Sequence, residues 1–221
     1  MWRLSCCIII LSILTGCRKD CIEGEGPIIS ENLFAPYFDE VELRGSFDVF
    51  IEQDDDFEVR AVGHRNIVDR VQLDETDDRL SIGLESDCFR DFDLTIYISM
   101  PEIRGVHLED SGDIRLDDFI ENDGPLSLEI DGSGDIRLES VKGTEFLRVD
   151  IDGSGDVRGS EDFPELIDLE VDIDGSGDYY GFDIIAEHAW VEIDGSGDVF
   201  FRGNPVIISD ISGSGDIIDA N

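Results

Sequence analysis

Basic residues are scarce in this sequence. Its 221 residues include 16 Lys and Arg against 54 Asp and Glu, which gives a formal net charge of −38 at pH 7. Nucleic-acid-binding proteins neutralise phosphates with clustered Lys and Arg, and anionic lipid surfaces repel an acidic chain. The composition therefore excludes nucleic acid as a partner. It does not indicate disorder, because 41% of the residues are hydrophobic and many alternate regularly with polar ones.

The sequence also lacks an apolar run that is long enough to span a membrane. The run over residues 6–14 is shorter than the roughly 20 residues of a spanning helix. It follows the positive charge of Arg3 and precedes small residues, which is the layout of a secretory signal peptide. Leu14-Thr15-Gly16-Cys17 resembles the lipobox of bacterial lipoproteins. That resemblance implies removal of residues 1–16 and lipidation of Cys17; the alternative is ordinary cleavage that leaves this cysteine free.

Cysteines are few, and most of the five have an assigned place. Cys6 and Cys7 belong to the predicted signal peptide and Cys17 to the lipid anchor. Cys21 and Cys88 remain, and two thiols in an oxidising compartment favour a disulfide. We predict a Cys21–Cys88 bond, and the alternative is two separate buried thiols.

One motif, G-S-G-D or a close variant, recurs along the chain. Its serines lie 22, 21, 22, 20 and 18 residues apart, at Ser111, Ser133, Ser154, Ser176, Ser196 and Ser214. A period near 20 residues is typical of stacked arrays in which each repeat covers the next. An active site needs its special residues only once, so the repetition favours a structural motif.

The residues before each motif alternate with period two, which predicts strands with one buried face. Around Ser133 the predicted inward residues are Ile130, Gly132, Gly134 and Ile136, and the outward residues are Asp131, Ser133 and Asp135. The glycines are expected to permit a tight corner or a close approach of backbones. We therefore predict an all-β parallel β-helix, or β-solenoid, of about 20-residue coils with G-S-G-D corners. The alternative is a sandwich of antiparallel hairpins.

The predicted organisation has four parts. A signal peptide over residues 1–16 precedes a lipidated tether over 17–35, a β-rich half with less regular coils over 36–108, and the repeat half over 109–221. Asn66 to Leu73 fits either a short helix or a strand entry.

Stacked coils would align acidic residues in rows. One predicted outward row includes Asp131, Asp152, Asp174 and Asp194, and another includes Asp135, Asp156, Asp178 and Asp198. Like charges about 5 Å apart repel by roughly 1 kcal/mol in water and about 3 kcal/mol at an effective dielectric constant of 20. Two explanations stay open: each Asp accepts hydrogen bonds from its own turn, or calcium bridges the carboxylates. The eight Asp residues are thus the candidate metal ligands.

Catalytic signals are weak in this sequence. His64, His107 and His188 lie far apart without zinc-type spacing, and the outward position of His107 predicts exposure to solvent. G-S-G-D is not a nucleophile elbow. We predict no enzyme activity, no catalytic residues and no cofactor, calcium excepted. Trp190, Tyr180 and Phe200 share the parity of the acidic face, where they either stack on sugar rings or pack neighbouring coils.

The repeats and their flanking segments resemble a known family, the putative auto-transporter adhesin, head GIN domain family, common in Bacteroidetes lipoproteins. The resemblance rests on Phe38-Asp39-Glu40-Val41, on Gly45-Ser46-Phe47-Asp48-Val49, on Thr95 to Pro101 and on the serial G-S-G-D corners. It implies a right-handed β-helix-like fold.

The expected function is adhesion or another surface interaction. We expect a protein of the cell envelope, lipid-anchored at the outer membrane on its periplasmic or surface face, with a cell-surface protein or glycan as partner. The alternative is a calcium-dependent module that binds carbohydrate or cell envelope through stacked Asp residues.

Overall fold

The computed structural model describes residues 21–220, apart from 86, 87, 118, 120, 121, 140, 160–165 and 183. Almost all of its regular structure is β-strand, and none of the helix it contains could span a membrane. In chain order the elements are β1 (Ile22–Glu23), β2 (Ile28–Leu33), β3 (Glu40–Arg44), β4 (Asp48–Gln53), β5 (Glu58–His64), α1 (Arg65–Val68), β6 (Val71–Thr76), β7 (Arg79–Leu84), β8 (Phe89–Arg90), β9 (Leu94–Met100), β10 (Gly105–Asp110), β11 (Ile114–Asp117), β12 (Leu126–Gly132), β13 (Ile136–Leu138), β14 (Phe146–Gly153), β15 (Val157–Gly159), β16 (Leu166–Gly175), β17 (Tyr179–Gly181), β18 (Ala186–Gly195), β19 (Val199–Phe201), β20 (Val206–Gly213) and β21 (Ile217–Asp219).

Two long sheets contain most of these strands. The first sheet has the order β20-β18-β16-β14-β12-β10-β3-β7-β6, and the second has the order β2-β5-β9-β4-β11-β13-β15-β17-β19-β21. From β10 onwards each coil passes once through each sheet, and equivalent strands pair in parallel. The predicted β-solenoid is confirmed, with about five turns of roughly 22 residues.

The G-S-G-D motifs form the corners between the two sheets, as predicted. Gly153, the first glycine of its motif, has φ +135°, a conformation that other residues rarely adopt. Gly155, the second, is buried, and a Cβ there would lie 2.0 Å from the carbonyl oxygen of Gly134 in the preceding coil. A Cβ at Gly153 would also lie 2.2 Å from the carbonyl oxygen of Gly132, so the first glycine permits both the bend and the stacking, and the second permits the stacking.

The core consists of inward rows of aliphatic side chains, one residue from each coil. In the first sheet one such row, fully or almost fully buried, contains Leu43, Leu108, Ile130, Ile151, Ile173 and Ile193. Each fully buried side chain of this kind contributes about 1.5–3 kcal/mol. The rows explain why the coils stack in one register, because a shift by one residue would expose every one of them.

The N-terminal end departs from the parallel pattern. β2 pairs with β5, β5 with β9, and β6 with β7, all antiparallel. Helix α1 lies between β5 and β6, so the segment from Asn66 contains both a helical turn and a strand. These antiparallel strands cover one end of the solenoid, where a further parallel coil would otherwise be needed.

Residues 21–35, which lie within the predicted tether, contain two strands. β1 pairs in parallel with β8, β2 joins the second sheet, and the predicted disulfide links Cys21 to Cys88 with a Cα–Cα distance of 4.5 Å. The alternation of Ile28 to Leu33 is short and mostly exposed, which is why the sequence pattern did not identify a strand there.

The C-terminal end is an open edge of both sheets. β20 and β21 are the last strands, and β20 is exposed along most of its length. Val206 and Ile208 are about three-fifths exposed, because β20 is the edge strand of the first sheet among the described residues.

Candidate functional site

The outer face of the first sheet carries two acidic rows that run across the coils. The outer aspartate row begins with Arg44 and Glu109 and continues with the predicted Asp131, Asp152, Asp174 and Asp194. The central acidic row lies two residues earlier on each strand and contains Glu42, His107, Glu129, Asp150, Asp172, Glu192 and Asp210. Sequence reasoning missed the central row, although the alternation that makes Asp131 outward makes Glu129 outward as well.

The central acidic row is under electrostatic strain near Asp172. Partial burial raises the pKa of this carboxyl group, and the charges of Asp150 and Glu192 on the adjacent strands raise it further, against the opposing effect of Arg148. Repulsion along this row is therefore only partly neutralised by the protein itself.

Beside Asp172 the outer face forms an open groove of about 550 Å³. Trp190 is its aromatic wall and Ile208 extends its apolar part. Its carboxylates are Glu170, Asp172, Glu192 and Asp210. We call this the Trp190 groove. An aromatic ring beside several carboxylates can hold a cation by cation–π and charge interactions, or hydrogen-bond a polar ligand stacked on the ring.

Tyr180 and Phe200 are not on this face, contrary to the prediction. The G-S-G-D corners carry the chain into the second sheet, where the two rings stack on each other with centroids 4.9 Å apart. The Arg158 guanidinium lies 4.4 Å from the Tyr180 centroid, and the Tyr180 hydroxyl donates to Asp178 at 2.7 Å. Tyr180 and Phe200 therefore pack neighbouring coils against each other, which is one of their two predicted roles; the other was stacking on sugar rings.

The second row of candidate metal ligands contains the predicted Asp135, Asp156, Asp178 and Asp198, and we call it the corner aspartate row. Backbone N–H groups donate hydrogen bonds to its carboxylates. An Oδ1 atom of each carboxylate accepts a hydrogen bond from the N–H of the equivalent Asp in the next coil, at 3.1, 3.1, 2.9, 2.7 and 2.9 Å, in the pairs Asp113–Asp135, Asp135–Asp156, Asp156–Asp178, Asp178–Asp198 and Asp198–Asp216. The hydrogen-bonding explanation predicted a donor in the same turn, whereas the donor belongs to the following coil.

Arginines also neutralise the corner aspartate row. Arg137 lies 3.1 Å from Asp135, and Arg158 forms an ion pair with Asp156. Both arginines follow their aspartates by two residues and so lie on the same side of the strand. In the next coil Tyr180 occupies the position equivalent to Arg158, and its hydroxyl donates a hydrogen bond to Asp178.

The structure places the eight candidate metal ligands at equivalent positions of successive coils, with one aspartate from each coil in each row. Among the described residues, one group of three or more potential ligands lies within the reach of a single ion, and it contains Glu42, His107 and Glu109. Calcium binding by the eight aspartates stays a prediction. The predicted lipid site, Cys17, lies outside the described residues.

The histidines occupy three separate places. His64 ends β5, His188 lies beside Trp190 and 3.2 Å from Asp168, and His107 lies in β10. The prediction that His107 is exposed is wrong: 14% of its side chain is accessible, because Glu42, Glu129 and Asp131 from the adjacent strands surround it.

The architecture is that of a β-solenoid with acidic rows on the outer face of its first sheet and repeated corners. The chain belongs to the putative auto-transporter adhesin, head GIN domain family, whose family model matches residues 37–220. No curated protein sequence matches it.

Solved structures share the fold. A putative adhesin from Bacteroides fragilis NCTC 9343 is 20% identical with a TM-score of 0.76, over 90% of this chain and 99% of that one. A putative adhesin from Parabacteroides distasonis ATCC 8503 is 17% identical with a TM-score of 0.65, over 91% and 100%. A putative lipid binding protein from the same strain is 19% identical with a TM-score of 0.63, over 91% and 100%.

Proposed function

We propose that this protein is an exported, lipid-anchored module of the cell envelope that binds a partner at the cell surface and catalyses no reaction. The lipobox-like sequence at Cys17 supports the anchor, and the Cys21–Cys88 disulfide supports an oxidising compartment. The family description and the adhesin descriptions of the similar structures support an adhesion-type role.

The Trp190 groove is the observation that carries this proposal. Trp190 is 39% exposed on a rigid sheet, although burial of its ring would be favourable. The surrounding carboxylates disfavour anionic ligands and favour a partner that presents Lys or Arg side chains. The partner is therefore a surface protein with a basic segment, and the ring and carboxylates bind that segment together.

The test is binding of the purified protein to intact cells, measured by flow cytometry with and without an Arg-rich competitor peptide. Trp190→Ala should weaken binding at least about tenfold, as expected for an aromatic hot spot. Tyr97→Ala is the matched control, because Tyr97 is similarly exposed, at 37%, on the second sheet. Equal binding by both variants, or no competition by the peptide, would contradict the proposed site.

Calcium-dependent binding of carbohydrate is a second candidate, supported by the four carboxylates that line the Trp190 groove and by the raised pKa of Asp172. Burial is the larger cause of that shift, but a divalent cation would relieve the part that comes from the charges of Asp150 and Glu192, and sugar hydroxyls could complete the coordination of that cation. This function requires that retention of the protein on envelope polysaccharide depends on calcium and is lost in a calcium chelator. Retention that is absent, or the same in chelator, would reject it.

A further inference from the structure

Two neighbouring strands of the first sheet place a histidine between two glutamates. His107 in β10 pairs in register with Glu42 in β3, and Glu109 lies two residues farther along β10 on the same face. One potential ligand atom from each of the three side chains lies within 4.8 Å of the other two. Glu42 is almost completely buried, with 5% of its side chain accessible.

The imidazole of His107 is oriented by a carboxylate on its far side. Its Nε2 atom lies 3.0 Å from Oδ2 of Asp131, so an Nε2–H donates to that carboxylate. This tautomer leaves a lone pair on Nδ1, which is buried and has no hydrogen-bond partner. Metal-bound histidines commonly donate their other N–H to a carboxylate in this way.

The distance between the two innermost atoms matches a shared ion. Nδ1 of His107 lies 3.5 Å from Oε1 of Glu42, beyond the usual length of an N–H···O hydrogen bond. Two ligands at about 2.0 to 2.1 Å from a tetrahedral ion are separated by about 3.4 Å. The other oxygen of Glu42, Oε2, accepts from Ser81 and lies 2.7 Å from Arg44. Oε1 is thus the oxygen that faces His107.

We propose that Glu42, His107 and Glu109 form a binding site for a divalent transition metal ion, with zinc as the ion that fits best. One imidazole and two carboxylates suit zinc, whereas calcium prefers oxygen ligands only. Glu129, whose Oε2 lies 4.0 Å from Nδ1, or a water completes the coordination. Arg44, which contacts both glutamates and is half exposed, moves outward when the ion binds.

Isothermal titration with zinc, and absorption spectra with cobalt as a substitute, test this site in the purified protein. We expect one ion per chain and a visible cobalt band typical of tetrahedral coordination. His107→Gln should weaken zinc binding by more than about tenfold and remove the band. Asp131 is a positioning residue, because its carboxylate orients the imidazole of His107. Asp131→Asn should therefore weaken zinc binding about tenfold.

His188→Gln is the matched control. His188 lies on the same sheet, 3.2 Å from the carboxylate of Asp168, but belongs to no group of three close ligands among the described residues. It should bind zinc as the unchanged protein does, and circular dichroism in chelator should show that all variants are folded. No zinc binding at 100-fold molar excess would overturn the proposal. Equal zinc affinity of the His107 and His188 variants would also overturn it, since the acidic surface would then attract the ion without a defined site.

Discussion

Both glycines of the Ser154 corner face the backbone of the preceding coil, and the first also has a positive φ. At Gly155 the obstacle is the backbone of the preceding coil, since the carbonyl oxygen of Gly134 lies 2.0 Å from the position of a Cβ and Ile130 lies 3.0 Å from it. At Gly153 a Cβ would lie 2.2 Å from the carbonyl oxygen of Gly132, and the φ of +135° disfavours a side chain as well. The sequence predicted that the glycines permit a tight corner or a close approach of backbones, but which atoms approach them depends on how the coils stack.

Gly155→Ala should destabilise the protein by about 3 kcal/mol or more, because backbone atoms of stacked coils cannot move apart without breaking the parallel pairing. Ser154→Ala in the same corner is the control and should change stability by no more than about 0.5 kcal/mol, since its side chain is exposed. Urea denaturation measures both. A Gly155→Ala variant as stable as Ser154→Ala would contradict the close approach of the coils.

Asp172→Asn should stabilise the protein by about 1 kcal/mol at pH 7 and low salt. Burial and then Asp150 and Glu192 raise the pKa of Asp172 in the folded state. A raised carboxyl pKa stabilises the fold below the unfolded pKa, near 4, and that contribution is lost as pH rises through the folded pKa. The gain from Asn should therefore shrink below pH 4 and also in 1 M salt. Thermal unfolding across pH tests this, and a loss of stability at pH 7 would show that the charge is needed.

At the scale of the strand, the corner and the first residues of the next strand act together. The pattern Asp-x-Arg, as in Asp156-Val157-Arg158, places a hydrogen-bond acceptor and its neutralising cation on one side of a corner. The pattern is visible in the sequence. That the acceptor binds the N–H of the next coil, rather than its own turn, depends on stacking and was not predictable from one repeat.

Asp156→Ala should destabilise the protein by about 1–2 kcal/mol more than Asp156→Asn. Asn keeps an oxygen that can accept from the Asp178 N–H, whereas Ala leaves this part-buried donor unsatisfied. Asp152 in the outer aspartate row is exposed, so its Ala and Asn variants should differ by less than about 0.5 kcal/mol. Chemical denaturation of the four variants gives the comparison. Equal losses for both Asp156 variants would mean that charge, and not the hydrogen bond, holds the corner.

For the whole molecule, the stacked coils were predictable from the sequence, whereas the antiparallel pairing at the N-terminal end was not. A period near 20 residues and two-residue alternation define the stacked coils, since each repeat has the same environment as its neighbours. The antiparallel pairing of β2 with β5 and that of β6 with β7 each occur once, so no repetition marks them. The burial of His107 and the separation of Trp190 from Tyr180 likewise depend on which coils are neighbours and where the chain turns.

We expect that backbone packing, hydrogen bonds and arginine pairs hold the G-S-G-D corners together and that the solenoid needs no bound calcium ion. The most direct test is the thermal unfolding of the protein in a calcium-selective chelator, in millimolar calcium and in millimolar magnesium. We predict the same melting temperature in calcium as in magnesium, with any rise over chelator due to screening of the net charge of −38. A large rise that is specific to calcium would contradict the claim and identify the aspartate rows as ion sites.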